Sequence, residues 1–271
     1  MQNMSGRKDR LTISIAPENV YRERIEKITK KMIDELLCIK DKRMRSFALA
    51  NRFKRVKPES AMEVLREIQN KASGKRSGYV EIMESCIDID LLRQTLGLKM
   101  MSDIYSAARR KGYDNLVRLL INPPPKGKPY SEYDFIEGRE NEDITLGEKR
   151  SFSKGWSRNK LDQLIYDEDP VVIKHLLENP RITERDVLKM SSRRPVKPEV
   201  LKVIYGSRKW LSRYVIKKAL VLNPYTPTGI ALGLVGFMRY KDLKMIANYK
   251  SLHEEIRLSA EEIINANYKK P

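Results

Sequence analysis

Histidine and cysteine each occur only twice in this 271-residue chain, as His175, His253, Cys38 and Cys86. Two lone cysteines, neither in a CxxC pair, exclude a disulfide framework and offer no zinc-ligand spacing. Histidines 78 residues apart leave no basis for a His-based triad or a multi-histidine metal site. The chain also lacks GxxxxGK[ST], GxSxG and any glycine-rich turn following a strand, so the usual phosphate-cradling and nucleophile-elbow signatures are missing. No cofactor is expected and the chain reads as a non-enzyme. Aromatic residues make up only 7%, and glycine and proline number 13 each, too few for a collagen-like or low-complexity class. No apolar run approaches the roughly 18 residues of a membrane span. The basic, polar stretch Met1 to Arg10 is not followed by the apolar core of a secretory signal. The expectation is a cytoplasmic protein in a reducing compartment, with no membrane span.

What is abundant is positive charge. Lys and Arg number 54 against 36 Asp and Glu, a net +18. The excess is segregated. Residues 1–57 hold 16 basic and 7 acidic residues, residues 58–180 hold 19 and 21, and residues 181–250 hold 16 and 4. Such asymmetry fits an anionic partner, and it equally fits lysines and arginines that solvate helix faces.

An internal repeat is the strongest signal. Val171 to Pro180 (VVIKHLLENP) and Val215 to Pro224 (VIKKALVLNP) share an apolar pattern at an offset of 44 residues. Leu116 to Pro123 is a third, partial copy, and Leu201-Lys202-Val203-Ile204 returns as Leu243-Lys244-Met245-Ile246 42 residues on. A period of 40–47 residues is the size of a helix-pair repeat. Pro170, Pro198 and Pro227 each open an apolar-periodic run, where a missing N–H costs nothing. Asn179-Pro180 and Asn223-Pro224 close helices, because a residue before proline avoids the helical region. Thr226 is expected as an N-cap, and Thr183 with Asp186 has capping-box spacing. These signals predict helices at 158–166, 170–178, 183–192, 198–206, 212–222, 227–237, 240–248 and 253–264. Each pair is too short to bury its own apolar stripe, so stacking is expected, giving an α-solenoid of HEAT-like character. Asn179 and Asn223 should then play similar side-chain roles.

The N-terminal part reads as helical but less regular, with helical periods over about 17–39, after Pro58, and from Met100 to Gly112. Tyr79 to Met83 reads as the start of another helix. The resulting organisation is an all-α chain in four parts. They are a basic helical segment at 1–57, a helical region at 58–122, a Pro-rich and acidic loop at 123–147, and a repeat region at 148–271.

Candidate sites are few. Asp167-Glu168-Asp169 precedes Pro170, and Glu254-Glu255 opens the last helix; the helix dipole accounts for carboxylates in both places. Trp156 and Trp210 both have basic neighbours and a nearby serine. An aromatic among cations can stack on a base while Lys and Arg hold phosphates; a tryptophan can equally plug the junction between helix pairs. Arg193, Arg194, Arg208, Lys209, Arg213, Lys217 and Lys218, with Trp210, form the candidate nucleic-acid or anion-binding set. Those in turns would form one basic stripe if successive turns shared an edge.

The stretches Leu177-Glu178-Asn179-Pro180-Arg181, Arg193-Arg194-Pro195, Ala219 to Pro224 and Asp242-Leu243-Lys244 resemble uncharacterised bacterial helical-repeat proteins. More broadly the chain is similar to HEAT and leucine-rich-repeat-variant solenoids. The resemblance, over residues 90–271, implies a fold and brings no activity. Basic HEAT-like solenoids include the alkylpurine DNA glycosylases, whose Asp lies near Trp and Arg; here only Asp162, six residues after Trp156, comes near that pattern. The functional expectation is a non-catalytic scaffold or adaptor with a protein partner. The alternative is a nucleic-acid-binding protein using a basic solenoid face.

Overall fold

The computed structural model describes residues 18–73, 76, 78–86, 89–127 and 144–268. These described residues form seventeen helices and no strand, an all-helical architecture. Tyr130, Tyr133, Phe135, Glu137, Glu140, Glu142 and Asp143 of the acidic tract lie outside the described residues, as does the basic stretch before residue 18.

The N-terminal half comprises α1 (Glu18–Leu37), α2 (Lys42–Phe53), α3 (Pro58–Ser73), α4 (Tyr79–Cys86), α5 (Ile89–Leu96), α6 (Leu98–Arg110) and α7 (Asp114–Ile121). Helix α3 sits at its centre, packed against α1, α4, α6 and α7. It can do so because Ala61, Val64, Leu65, Ile68 and Ala72 recur at helical spacing and are all buried. Helix α2 packs on α4 and α5, so the basic N-terminal segment and residues 58–122 share one core. Gly112, at φ +68°, turns the chain out of α6.

The C-terminal half comprises α8 (Leu146–Lys154), α9 (Arg158–Leu164), α10 (Pro170–Glu178), α11 (Glu184–Ser192), α12 (Pro198–Gly206), the single turn α13 (Arg208–Leu211), α14 (Tyr214–Leu222), α15 (Thr228–Val235), α16 (Tyr240–Asn248) and α17 (Glu254–Tyr268). Asp169 caps α10 by accepting from the Val171 and Val172 amides at 2.9 Å. Thr145 with Glu148 and Thr183 with Asp186 form capping boxes 38 residues apart, at the starts of α8 and α11. Thr226 is not the cap expected of it. Its hydroxyl donates to Leu220 O at 2.7 Å, and Pro227 takes the N-cap position of α15.

Hydrogen bonds sort the turns of this half into two rims. At the first rim, Asn179 reaches Ser153 and Gly155, Arg158 reaches Asp186, and Trp210 reaches Leu177. At the second, Arg193 donates to Tyr166 O, Asn223 reaches Ser191 and Arg193, and Arg194 reaches Leu222 and Tyr249. Helices α10, α11, α12 and α14 run alternately between these rims. Helix α10 lies beside α8 and α12, and α11 beside α14.

Asn122 departs from the expected repeat. It ends α7 in the left-handed region at φ 46°. Its side chain accepts from Gly229 N at 2.8 Å, at the start of α15. The chain after it crosses the α14–α15 turn, where Gly127 N donates to Pro224 O at 3.0 Å and a Cβ on Gly127 would lie 2.8 Å from the Tyr225 ring.

The halves meet through α7 against α15. Arg118 of α7 pairs with Glu255 at 2.7 Å and Glu262 at 2.5 Å on α17. The Tyr205 hydroxyl of α12 donates to Glu84 O at 2.5 Å. One apolar cluster runs through both halves. Among the described residues, no helix is long and apolar enough to cross a membrane.

Candidate functional site

Where the two halves meet, α2 and the start of α5 face α10, α12 and the start of α15 across a groove of about 730 Å³. That volume lies within the usual range of ligand-binding clefts. The floor is apolar, with Ile89, Leu177, Val203 and Ile230. The walls carry Asp41, Lys42 and Arg43 from the start of α2, Asp90 from α5, Lys174 and Glu178 from α10, and Lys202 and Tyr205 from α12. Helices α10 and α12 contribute matching positions. Lys174 and Lys202 each follow their helix-opening proline by four residues, and Leu177 and Tyr205 follow by seven. Parallel neighbours built to one pattern therefore present one pattern to the groove.

The groove chemistry is mixed. The Lys42 ammonium lies 3.5 Å from the Tyr205 ring centroid, a cation–π contact that orients the Tyr205 side chain. Asp41 caps α2 through the Met44 amide at 2.8 Å. Arg43, Lys174 and Lys202 are exposed and make no salt bridge among the described residues. Such a surface can take a chain that carries carboxylates and apolar side chains together.

The set expected to bind phosphate lies elsewhere, and most of its members have a partner within the protein, although Arg208 and Arg213 keep 73% and 63% of their side chains exposed. Arg193 donates to Tyr166 O and faces Glu168 at 3.7 Å, with 8% of its side chain exposed. Arg194 donates to Leu222 O and the Tyr249 hydroxyl, both at 2.6 Å. Arg208 pairs with Glu81 at 3.0 Å and Arg213 with Glu184 at 3.5 Å. Lys217 pairs with Glu84 at 3.3 Å and Lys218 with Asp242 at 2.7 Å. Lys209 lies 4.3 Å from the Trp210 ring centroid. Trp210 itself is 4% exposed and donates its indole N–H to Leu177 O at 2.8 Å, so it plugs a helix junction and has no face for a base. Nor do the turns form one stripe: Arg193 and Arg194 sit on the second rim, and Arg208, Lys209 and Arg213 on the first.

Trp156 is the opposite case. It lies on the first rim and is 70% exposed. His175, on α10, has its pKa lowered by burial and then by the nearby Lys154. Cys86 is buried and its thiol is pushed up to about 12, so it carries no thiolate chemistry.

Comparison with protein-family models, with curated proteins and with solved structures returns no match for this chain.

Sequence reading missed Lys42, Arg43, Lys174, Lys202 and Tyr205 as groove residues. The repeated Pro-x-x-x-Lys of α10 and α12 was the available signal. Its meaning depends on which half packs opposite, and a linear pattern does not encode that.

Proposed function

We propose that the chain is a non-catalytic helical-repeat scaffold whose C-terminal helices form a short HEAT-like solenoid, and that a protein partner docks in the groove between the halves. One observation carries the reading: α10 and α12 offer equivalent lysines and apolar residues along a groove in which Lys174, Lys202 and Arg43 make no salt bridge among the described residues. The basic surplus of residues 181–250 supports it from the other side. Much of that charge is used to join the helices, through Glu81, Glu84, Glu168, Glu184 and Asp242. A partner segment mixing acidic and apolar residues fits the lining. Cytoplasmic location belongs to the same proposal.

Affinity capture from native cells, with and without nuclease, tests it. Wild type should retain a protein that survives nuclease treatment, and Lys174→Glu with Lys202→Glu should lose it. Capture that disappears with nuclease, or that persists in the double variant, would remove the groove reading.

A further inference from the structure

Trp156 occupies the three-residue turn between α8 and α9, and that turn is held unusually firmly. Asn179 donates to Gly155 O at 2.9 Å, and Arg181 donates to Trp156 O at 2.6 Å. Arg158, directly after the turn, bridges Asp162 and Asp186. This anchored backbone presents an indole that is 70% exposed. Its ring has the Arg181 guanidinium 5.8 Å from its centroid. Lys154 and Arg181 are exposed, as is Lys209 on the next turn along the same rim, and none makes a salt bridge among the described residues. That turn is anchored to α10, whose end also holds the Trp156 turn, through the Trp210 bond to Leu177 O.

We infer that the first rim binds single-stranded nucleic acid, with one base stacked on Trp156 and the neighbouring phosphates held by Lys154, Arg181 and Lys209. A free π-face flanked by unneutralised cations is the combination that single-strand binders use. An unstacked base reaches a flat exposed indole, whereas a duplex hides its base faces. An acidic peptide would satisfy the cations but would leave the ring without a planar partner. This surface is separate from the groove, so either reading stands if the other fails.

The two tryptophans make the test direct, because Trp210 is buried and serves as an internal reference. An oligothymidylate of about twelve nucleotides, a usual site size, is titrated against tryptophan emission at about 50 mM salt. The expected result is saturable quenching of the exposed fluorophore. The affinity should fall with salt at a log–log slope near −2, about 0.7 for each of three phosphates. Trp156→Ala should weaken binding, measured by anisotropy of labelled oligonucleotide, at least tenfold with an unchanged helical circular-dichroism signal. Trp156→Phe should lose less, and Arg181→Glu should also weaken binding. The inference fails if wild type does not bind. It also fails if Trp156→Ala binds equally well, if a duplex of the same length binds as tightly, or if a polyglutamate peptide depends on Trp156 to the same degree.

Discussion

The Asn223 side chain repeats what the Asn179 side chain does, at the opposite rim of the helix array. Each amide donates to two carbonyls at 2.9 Å, Ser153 and Gly155 for Asn179, and Ser191 and Arg193 for Asn223. Each side-chain oxygen accepts the amide two residues on, from Arg181 at 2.9 Å and Tyr225 at 3.1 Å. The proline after each asparagine stops the helix, and the buried amide then ties that end to the parallel neighbour. An offset of 44 residues spans three full-length helices, an odd number, so the two clamps face opposite ways.

Removing either clamp strands two buried carbonyls, a loss of about 1–3 kcal/mol each. Asn179→Ala and Asn223→Ala should each lower stability by that amount in urea unfolding. Asn→Asp should cost more, because a carboxylate cannot donate to those carbonyls. Losses below about 0.5 kcal/mol, as at surface positions, would show that the clamps do not hold the helix ends.

Asp186 governs acid stability. The residue is 2% exposed, and the bond from Arg158 holds its pKa well below the usual carboxylate range, with the Thr183 amide and hydroxyl adding to the effect. A folded-state pKa below the unfolded value contributes stability that is present above about pH 4 and is lost as pH falls further. Wild type should therefore lose stability steeply between about pH 4 and pH 2. Asp186→Asn should be about 2 kcal/mol less stable at pH 7 and should show a shallower acid limb. Parallel acid limbs in the two proteins would contradict this role.

The basic residues that join the halves should show coupling. Lys217 and Glu84 are 12% and 16% exposed in their side chains and 3.3 Å apart. Lys217→Glu sets two carboxylates together and should cost about 3 kcal/mol, as for breaking a buried pair. Adding Glu84→Lys should recover at least half of that in a double-mutant cycle. Arg208→Ala, in a pair with 73% of the arginine side chain exposed, should cost less than about 1 kcal/mol. Additive effects for the first pair would mean that these cations are free for a ligand.

Much of the helical order was legible from prolines and apolar periodicity. The expected segments at 170–178 and 198–206, each opened by a proline, coincide with α10 and α12, and the segment at 240–248, read from the repeat, coincides with α16. Four other helices were not legible. The buried face of α2 mixes Arg45 and Ser46 with Leu49, Ala50 and Phe53, and α8 buries only Ser153, so neither shows an uninterrupted apolar stripe. Helix α5 is only eight residues long, and α13 is a single turn. The candidate site was less accessible than the helices. Turn composition identified basic residues, but helix parity decides which rim each turn joins. Glu81 and Glu84, over a hundred residues away in sequence, decide which cations are neutralised. Trp156 and Trp210 have similar sequence surroundings, and only packing separates the exposed ring from the buried plug.

The groove is the centre of the functional account, and crosslinking within it is the most direct measurement. A photo-reactive residue is placed at Lys202, in the groove, and in a second protein at Glu261, on the exposed side of α17. After irradiation in cells, position 202 should yield a discrete protein adduct that resists nuclease, and position 261 should not yield that adduct. No adduct at 202, the same adduct at both positions, or an adduct that nuclease removes would contradict a protein partner in the groove.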